Sequence, residues 1–238
     1  MSSKINVYLL PFAGGNKYSY RKYEENVPSF LKFIPLEYPG RGARQNEPLI
    51  IDMQLLVDDV FKQMKEKGLQ HPYAIYGHSM GGLLSYLVTR RIIQNGDRAP
   101  VHLFITGTSG PSENAREKKR HLLNKEDFLQ EIKELGGLPN PILQDSELMD
   151  YYEPILRADF QLSELYEYEK QPPLDIPVTV ITGREEKMTL AKIQAWQKEF
   201  VPKIDFKRFP GDHFFILDHI MPIMEIMARK LGNVNAIK

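Results

Sequence analysis

The sequence predicts an α/β fold built on a mostly parallel sheet. Short apolar runs alternate along the chain with longer segments of helical periodicity. Several of the runs are apolar almost throughout, as strands covered on both faces are. Between residues 108 and 173 the alternation stops and only helical patterns occur. The expected architecture is a central sheet flanked by helices, with right-handed crossovers and a helical insertion between the fourth and fifth strands.

The elements follow in order. INVYLL at 5–10 gives the first strand and 18–30 a helix. FIPLEY at 33–38 gives the second strand and 52–67 a second helix. YAIY at 73–76 runs into a glycine-rich turn and a helix at 80–94, and VHLFIT at 101–106 is the fourth strand. Inside the insertion, Phe128, Leu129, Ile132 and Leu135 fall at helical spacing within 125–135. Leu148, Tyr151, Tyr152, Ile155, Leu156, Phe160 and Leu165 place one or two more helices over 146–168. Gln171-Pro172-Pro173 marks the return to the core. VTVIT at 178–182, a helix at 190–200, IDFKRF at 204–209 and a helix at 219–230 complete the chain. Residues 1–107 and 174–238 therefore form the core, and 108–173 a helical lid.

Composition narrows the function. The 238 residues suit one domain with an inserted piece. Lys plus Arg and Asp plus Glu number 31 each, so the basic excess of a nucleic-acid binder is missing. A hydrophobic fraction of 42% argues for a sizeable core and against disorder. With no Cys, a disulfide scaffold, a Cys-based zinc site and a Cys nucleophile are excluded. The opening residues carry one Lys and a short apolar run broken by Pro11, without the long apolar core of a signal peptide. A cytoplasmic protein is expected. The stretch 71–89 lacks Asp, Glu, Lys and Arg, but its glycines, His78, Ser79 and Ser85 suit a turn rather than a membrane span.

Chemistry enters at Gly77-His78-Ser79-Met80-Gly81, which fits G-x-S-x-G between a strand and a helix. Glycines on either side let strand and helix approach around a sharp turn. Ser79 is then held strained, with Oγ exposed above the sheet edge. The Met80 amide, at the helix start, can face a developing oxyanion. An elbow serine needs a histidine late in the chain and an acid between them. His213 directly follows the last strand, where such sites assemble. His219 lies in an apparent helix, His78 packs beneath the elbow, and His102 and His121 have structural readings. After the fifth strand come Gly183-Arg184-Glu185-Glu186 with no Asp. Glu186 is the first choice of acid and Glu185 the second. A second oxyanion amide is expected from Leu10-Pro11-Phe12-Ala13-Gly14-Gly15, at Ala13 before Phe12. This set needs no metal and no organic cofactor.

The motifs Leu10-Pro11-Phe12-Ala13-Gly14-Gly15, Tyr38-Pro39-Gly40-Arg41-Gly42, Gly77-His78-Ser79-Met80-Gly81-Gly82, Leu135-Gly136-Gly137-Leu138-Pro139, Leu156-Arg157-Ala158-Asp159-Phe160 and Gly211-Asp212-His213-Phe214 run in order along nearly the whole chain. Together they resemble a type II thioesterase of nonribosomal peptide and polyketide synthesis, an α/β-hydrolase. The two motifs inside the insertion are the more specific and are similar to that family's lid. The family usually carries Asp three residues after the glycine ending the penultimate strand, and that count from Gly183 lands on Glu186. The resemblance implies hydrolysis of acyl groups from the phosphopantetheine arm of carrier proteins, clearing stalled or wrongly primed synthetases. The rival readings are a general carboxylesterase or lipase and a catalytically silent binding protein. The basic stretch Arg116-Glu117-Lys118-Lys119-Arg120 reads first as a solvated face and second as a contact for an acidic carrier. A monomer that binds neither nucleic acid nor membrane is expected.

Overall fold

The computed structural model describes residues 4–69, 72–113, 119–136 and 145–235. Arg116-Glu117-Lys118 and Gly137-Leu138-Pro139, singled out above, lie outside the described residues, as does the start of the stretch 71–89 at His71. The described chain forms one six-stranded sheet in the order β2-β1-β3-β4-β5-β6. Its strands are β1 (Ile5–Leu10), β2 (Leu31–Pro35), β3 (Tyr73–His78), β4 (His102–Thr106), β5 (Val178–Gly183) and β6 (Asp205–Phe209), and every neighbouring pair is parallel.

Side chains alternate faces along these strands. Tyr8, Leu10, Tyr73, Ile75, Leu103 and Ile105 enter one core layer. Ile5, Val7, Leu9, Ala74, Tyr76 and Phe104 enter the other. The first layer is closed by α2 (Met53–Glu66) and α3 (Met80–Gln94), which bring Val57, Val60, Met64, Leu84 and Val88. The second is closed by α1 (Arg21–Glu24) and by α7 (Ile220–Asn235), with Tyr23, Ile223, Met227 and Leu231. Between β4 and β5 lie α4 (Lys125–Leu135) and α5 (Ser146–Glu164), which share a separate small core of Phe128, Ile132, Met149, Leu156 and Phe160. The helix after β5, α6 (Leu190–Gln194), passes directly into a 3-10 turn at Ala195–Glu199.

Two elements differ from expectation, each for a local reason. The second strand is displaced to Leu31–Pro35. The ladder ends with the Leu36 amide, which donates to Leu9 O at 3.0 Å, and Tyr38 is buried in the loop beyond it, which made that loop read as strand. The helix expected over 18–30 is a 3-10 turn at Lys17–Tyr20 followed by four helical residues. The chain turns at Pro28, whose carbonyl accepts from the Leu31 amide at 2.9 Å. The pattern over 146–168 is one helix that ends at Glu164 and holds Pro154 in its interior.

The strand order places the site. Connections leave β1 toward β2 on one side and enter β3 on the other, so the order reverses at β1. Ligands of open parallel sheets bind at such a reversal, outside the carboxyl ends of the strands. Leu10 pairs with Gly77 and His78 with Thr106, so the loops after β1, β3 and β4 start level. Gly183 pairs with Phe209, which levels the loops after β5 and β6.

Within the sheet, His102 on β4 places Nε2 2.9 Å from Thr179 Oγ1 on β5. Burial, helped by Lys230 and opposed by Asp205, pushes the His102 pKa down from 6.5 to about 4. Between those values the unfolded chain binds the extra proton, so stability is lost as pH falls. We expect unfolding free energy to decline below about pH 6.5, by at most about 1.4 kcal/mol per pH unit from this residue. His102→Gln should flatten that slope in urea titrations run from pH 7 to 4, and an unchanged slope would refute its origin in His102.

Candidate active site

Ser79 joins β3 to α3 with φ 54 and ψ −117, and it alone among the described non-glycine residues has positive φ. Such a conformation costs on the order of 1–3 kcal/mol and persists where the surroundings over-determine it. They do so here. The Ser79 amide donates to Thr106 O at 2.8 Å, and its carbonyl accepts from the Gly82 amide at 2.9 Å. A Cβ on Gly77 would overlap the Gly81 carbonyl, and one on Gly81 would overlap the carbonyl oxygens of Leu10 and Pro11. The elbow is therefore backbone packed on backbone, with the loop after β1 as its third wall.

His213, in the loop after β6, brings Nε2 to 3.0 Å from Ser79 Oγ. The two acidic candidates separate. Glu185 accepts a hydrogen bond from the Gly211 amide, and its own amide donates to Gly211 O at 3.2 Å. It ties the loop after β5 to the loop carrying His213. Glu186 instead faces the ring, with Oε1 3.6 Å from His213 Nδ1. That distance allows an ion pair but exceeds a hydrogen bond. Both Glu186 oxygens are buried without a hydrogen-bond partner, and the His213 imidazole is their ion-pair neighbour. Asp212, the neighbour of His213, accepts from the Phe214 amide at 3.2 Å.

The remaining histidines lie elsewhere or serve differently. His219 stacks on Phe209 at 5.0 Å and holds the Pro210 carbonyl, with Nε2 2.9 Å away. His121 meets Glu164 at 2.7 Å. His78 is fully buried below the elbow, and that burial drives its pKa well below 6.5.

Phe12 and Ala13 stand beside Ser79 and Met80 in the lining of a cavity of about 580 Å³. Met80 opens α3, so its amide is among the donors a helix start leaves without an intrahelical acceptor. Ile132, Leu135, Leu156 and Phe160 line the same cavity from α4 and α5. Among the described residues, no group of three or more His, Asp or Glu side chains is placed to hold a metal ion. Nor is any described helix long and apolar enough to cross a membrane.

The loop after β1 is held by side chains to which the sequence reading gave no role. Tyr20 and Tyr38 hydroxyls donate to the Leu10 and Pro11 carbonyls, each at 2.9 Å. Asp159, on α5, accepts from the Gly14 amide at 2.7 Å. It also receives Arg41 through two contacts, Nη1 to Oδ2 at 2.5 Å and Nη2 to Oδ1 at 2.7 Å. Arg41 in turn donates to Gly15 O at 3.3 Å. The signal was present in the sequence: Asp159 lies among Leu156, Phe160 and Leu162 on the apolar face of its helix, and a charge facing inward needs a partner.

The thioesterase domain family matches residues 6–231. The gramicidin S biosynthesis protein GrsT of Aneurinibacillus migulanus is 32% identical over 238 residues, covering 100% of this chain and 93% of that protein. Among solved structures, ClbQ from the colibactin NRPS/PKS pathway superposes with a TM-score of 0.93 at 29% identity, covering 99% of this chain and 100% of that one. The type II thioesterase BorB from the borrelidin biosynthetic cluster gives 0.89 at 28% identity, covering 97% and 94%.

Removing one partner of a buried ion pair strands the other. Asp159→Ala should therefore lower unfolding free energy by roughly 3–5 kcal/mol. The double variant Arg41→Met with Asp159→Leu should recover much of the loss, since an apolar pair leaves no charge unpaired. Urea midpoints at constant m-value measure both. A single variant as stable as the parent would contradict the pairing.

Proposed function

The chain belongs to the thioesterase domain family, and on that premise we propose that Ser79, His213 and Glu186 carry out its chemistry. The supporting observation is the 3.0 Å contact between Ser79 Oγ and His213 Nε2 at the crest of the elbow, inside the cavity. Ser79 donates its proton to His213 Nε2 as Oγ attacks the thioester carbonyl. The amides of Met80 and Ala13, with Phe12 as the alternative to Ala13, hold the oxyanion. The tetrahedral intermediate collapses, the C–S bond breaks, and the imidazolium returns its proton to the departing thiolate. Water, deprotonated by His213, then attacks the acyl-serine and releases the carboxylic acid with Ser79 restored.

Glu186 stabilises the imidazolium formed in both halves. Its carboxylate is buried and otherwise unpartnered, so a positive charge on His213 is the interaction that answers it. Residues 108–173 act as a lid: α4 and α5 set apolar side chains over Ser79, where an acyl chain would lie.

The enzyme is a hydrolase of thioesters. Its relatives from peptide and polyketide assembly lines support a substrate presented on the phosphopantetheine arm of a carrier protein, and an editing role that frees blocked carriers. A panel of acyl-carrier proteins against matched acyl-CoA and nitrophenyl esters tests the carrier reading. Carrier-bound substrates should be turned over with the higher kcat/KM, and equal rates on all three would favour a general esterase.

Ser79→Ala should lower kcat by about a thousandfold or more with the fold intact. Glu186→Gln, which keeps shape and removes charge, should lower it by up to roughly 10⁴-fold. Glu185→Gln still offers an acceptor to the Gly211 amide and should change turnover little. The reverse ranking of the two glutamates would move the acid to Glu185.

A further inference from the structure

His78 is titratable, completely buried and unused in the chemistry above. Its ring centroid lies 4.9 Å from that of His213, with the two planes inclined by 42°. Phe12 meets it edge-on at 5.8 Å, and Phe214 and Phe215 close on it at 5.5 and 6.0 Å. From β4, Thr106 Oγ1 lies 3.0 Å from Nδ1. Gly107, with φ +63, leaves free the space that the ring fills, because a Cβ there would overlap the imidazole. The ring is thus gripped by the loops after β1, β4 and β6 while riding on β3. Its Nε2 is buried without a hydrogen-bond partner.

His213 needs such a support. Nε2 is fixed by Ser79 at 3.0 Å, but Nδ1 is 3.6 Å from Glu186, too far for a directional hydrogen bond. An ion pair of that length attracts without setting the plane of the ring. Packing must set it, and the aromatic neighbours in contact are His78 and Phe214, the latter edge-on at 5.1 Å. We propose that His78 is a positioning residue for the base: an uncharged imidazole platform that holds the His213 ring so that Nε2 faces Ser79 while Nδ1 faces Glu186.

Neutrality belongs to the role. A protonated ring at this place would repel the imidazolium formed in each half-reaction. Burial and the adjacent His213 hold His78 uncharged, against a weaker opposing effect of the His213 main chain. The other titratable groups near it are Tyr20 and Tyr76. The Tyr20 hydroxyl senses the His78 main chain, and Tyr76 shares Thr106 with the His78 ring. Burial pushes both hydroxyls up, so they add no charge.

The inference rests on Ser79 and His213 being nucleophile and base. Ser79→Ala is the control: if it remains active, that reading fails whatever His78 does. The test compares His78→Phe, which keeps a ring, with His78→Asn, which keeps a polar group toward Thr106 but no ring. His78→Phe should stay within about threefold of the parent kcat. His78→Asn should lose roughly ten- to a hundredfold in kcat with KM unchanged, as expected when a reacting group is slightly misplaced. With the ring free to turn from Glu186, the acid limb of the rate profile should move to lower pH in His78→Asn and stay in place in His78→Phe. Assays are run well below each variant's Tm. Equal loss in both variants, equal retention in both, or an unmoved acid limb in His78→Asn overturns the proposal. Nitrogen NMR of the parent needs no variant: His78 should keep neutral ring shifts across the pH range in which His213 titrates, and a titrating His78 overturns it equally.

Discussion

Ser79 can hold its left-handed backbone only because three stretches of main chain meet with no side chain between them. The carboxyl end of β3, the first turn of α3 and the loop after β1 touch through Gly77, Gly81 and the carbonyls of Leu10 and Pro11. The candidate site is built outward from that junction. It lifts Oγ out of the sheet, opens a helix beside it and brings Phe12 and Ala13 to the same rim. The parallel sheet supplies the rest by register, since level strand ends bring the loops after β5 and β6 to the same height. Rigidity here is steric rather than electrostatic, which suits a site that must not relax when charge develops.

The polar groups around this junction divide into two kinds. Tyr20, Tyr38, Asp159 and Arg41 are engaged with main-chain atoms of residues 10–15 or with one another, and Arg41 keeps its buried Nε without a partner. Their hydrogen bonds orient the loop, and the ion pair places two charges out of water at a desolvation cost that its twin contacts offset. Glu186 and His78 are the other kind, buried with polar atoms left open. Glu186 and His78 both adjoin His213, the side chain whose charge alternates in the proposed mechanism. A fully satisfied cage would hold the imidazole in one protonation state. Open partners leave it free to alternate.

Most of the sheet was legible because a strand covered on both faces writes itself as an unbroken apolar run. INVYLL, VHLFIT and VTVIT are such runs, and their observed limits lie within a residue of those read from sequence. The second strand was misplaced because burial and pairing are different properties. Tyr38 is buried beyond the last ladder bond, which the Leu36 amide makes to Leu9 O, and only the backbone hydrogen bonds reveal where pairing stops. At the candidate site, Ser79 and His213 could be singled out because the chemistry proposed for them demands a turn and a strand end. Glu185 and Glu186 could not be separated by composition, since the distinction is which way each side chain leaves a loop. The bracing by Arg41 and Asp159 joins residues far apart in sequence, and no local pattern predicts a partner at that range.

Asp159 also bears on how such a protein can be taken apart and rebuilt. Helices inserted between two strands look like an exchangeable module, a piece that recombination could swap to change acyl preference. Here one of the module's ties to the core is a carboxylate that holds both Arg41 and the Gly14 amide. A transplanted insertion without that carboxylate would leave a guanidinium stranded under the loop beside Ser79. One carrying it into a core without Arg41 would bury an unmatched anion. The unit of inheritance is therefore the helix together with the arginine more than a hundred residues before it, and chimeras that respect only the strand boundaries would divide it.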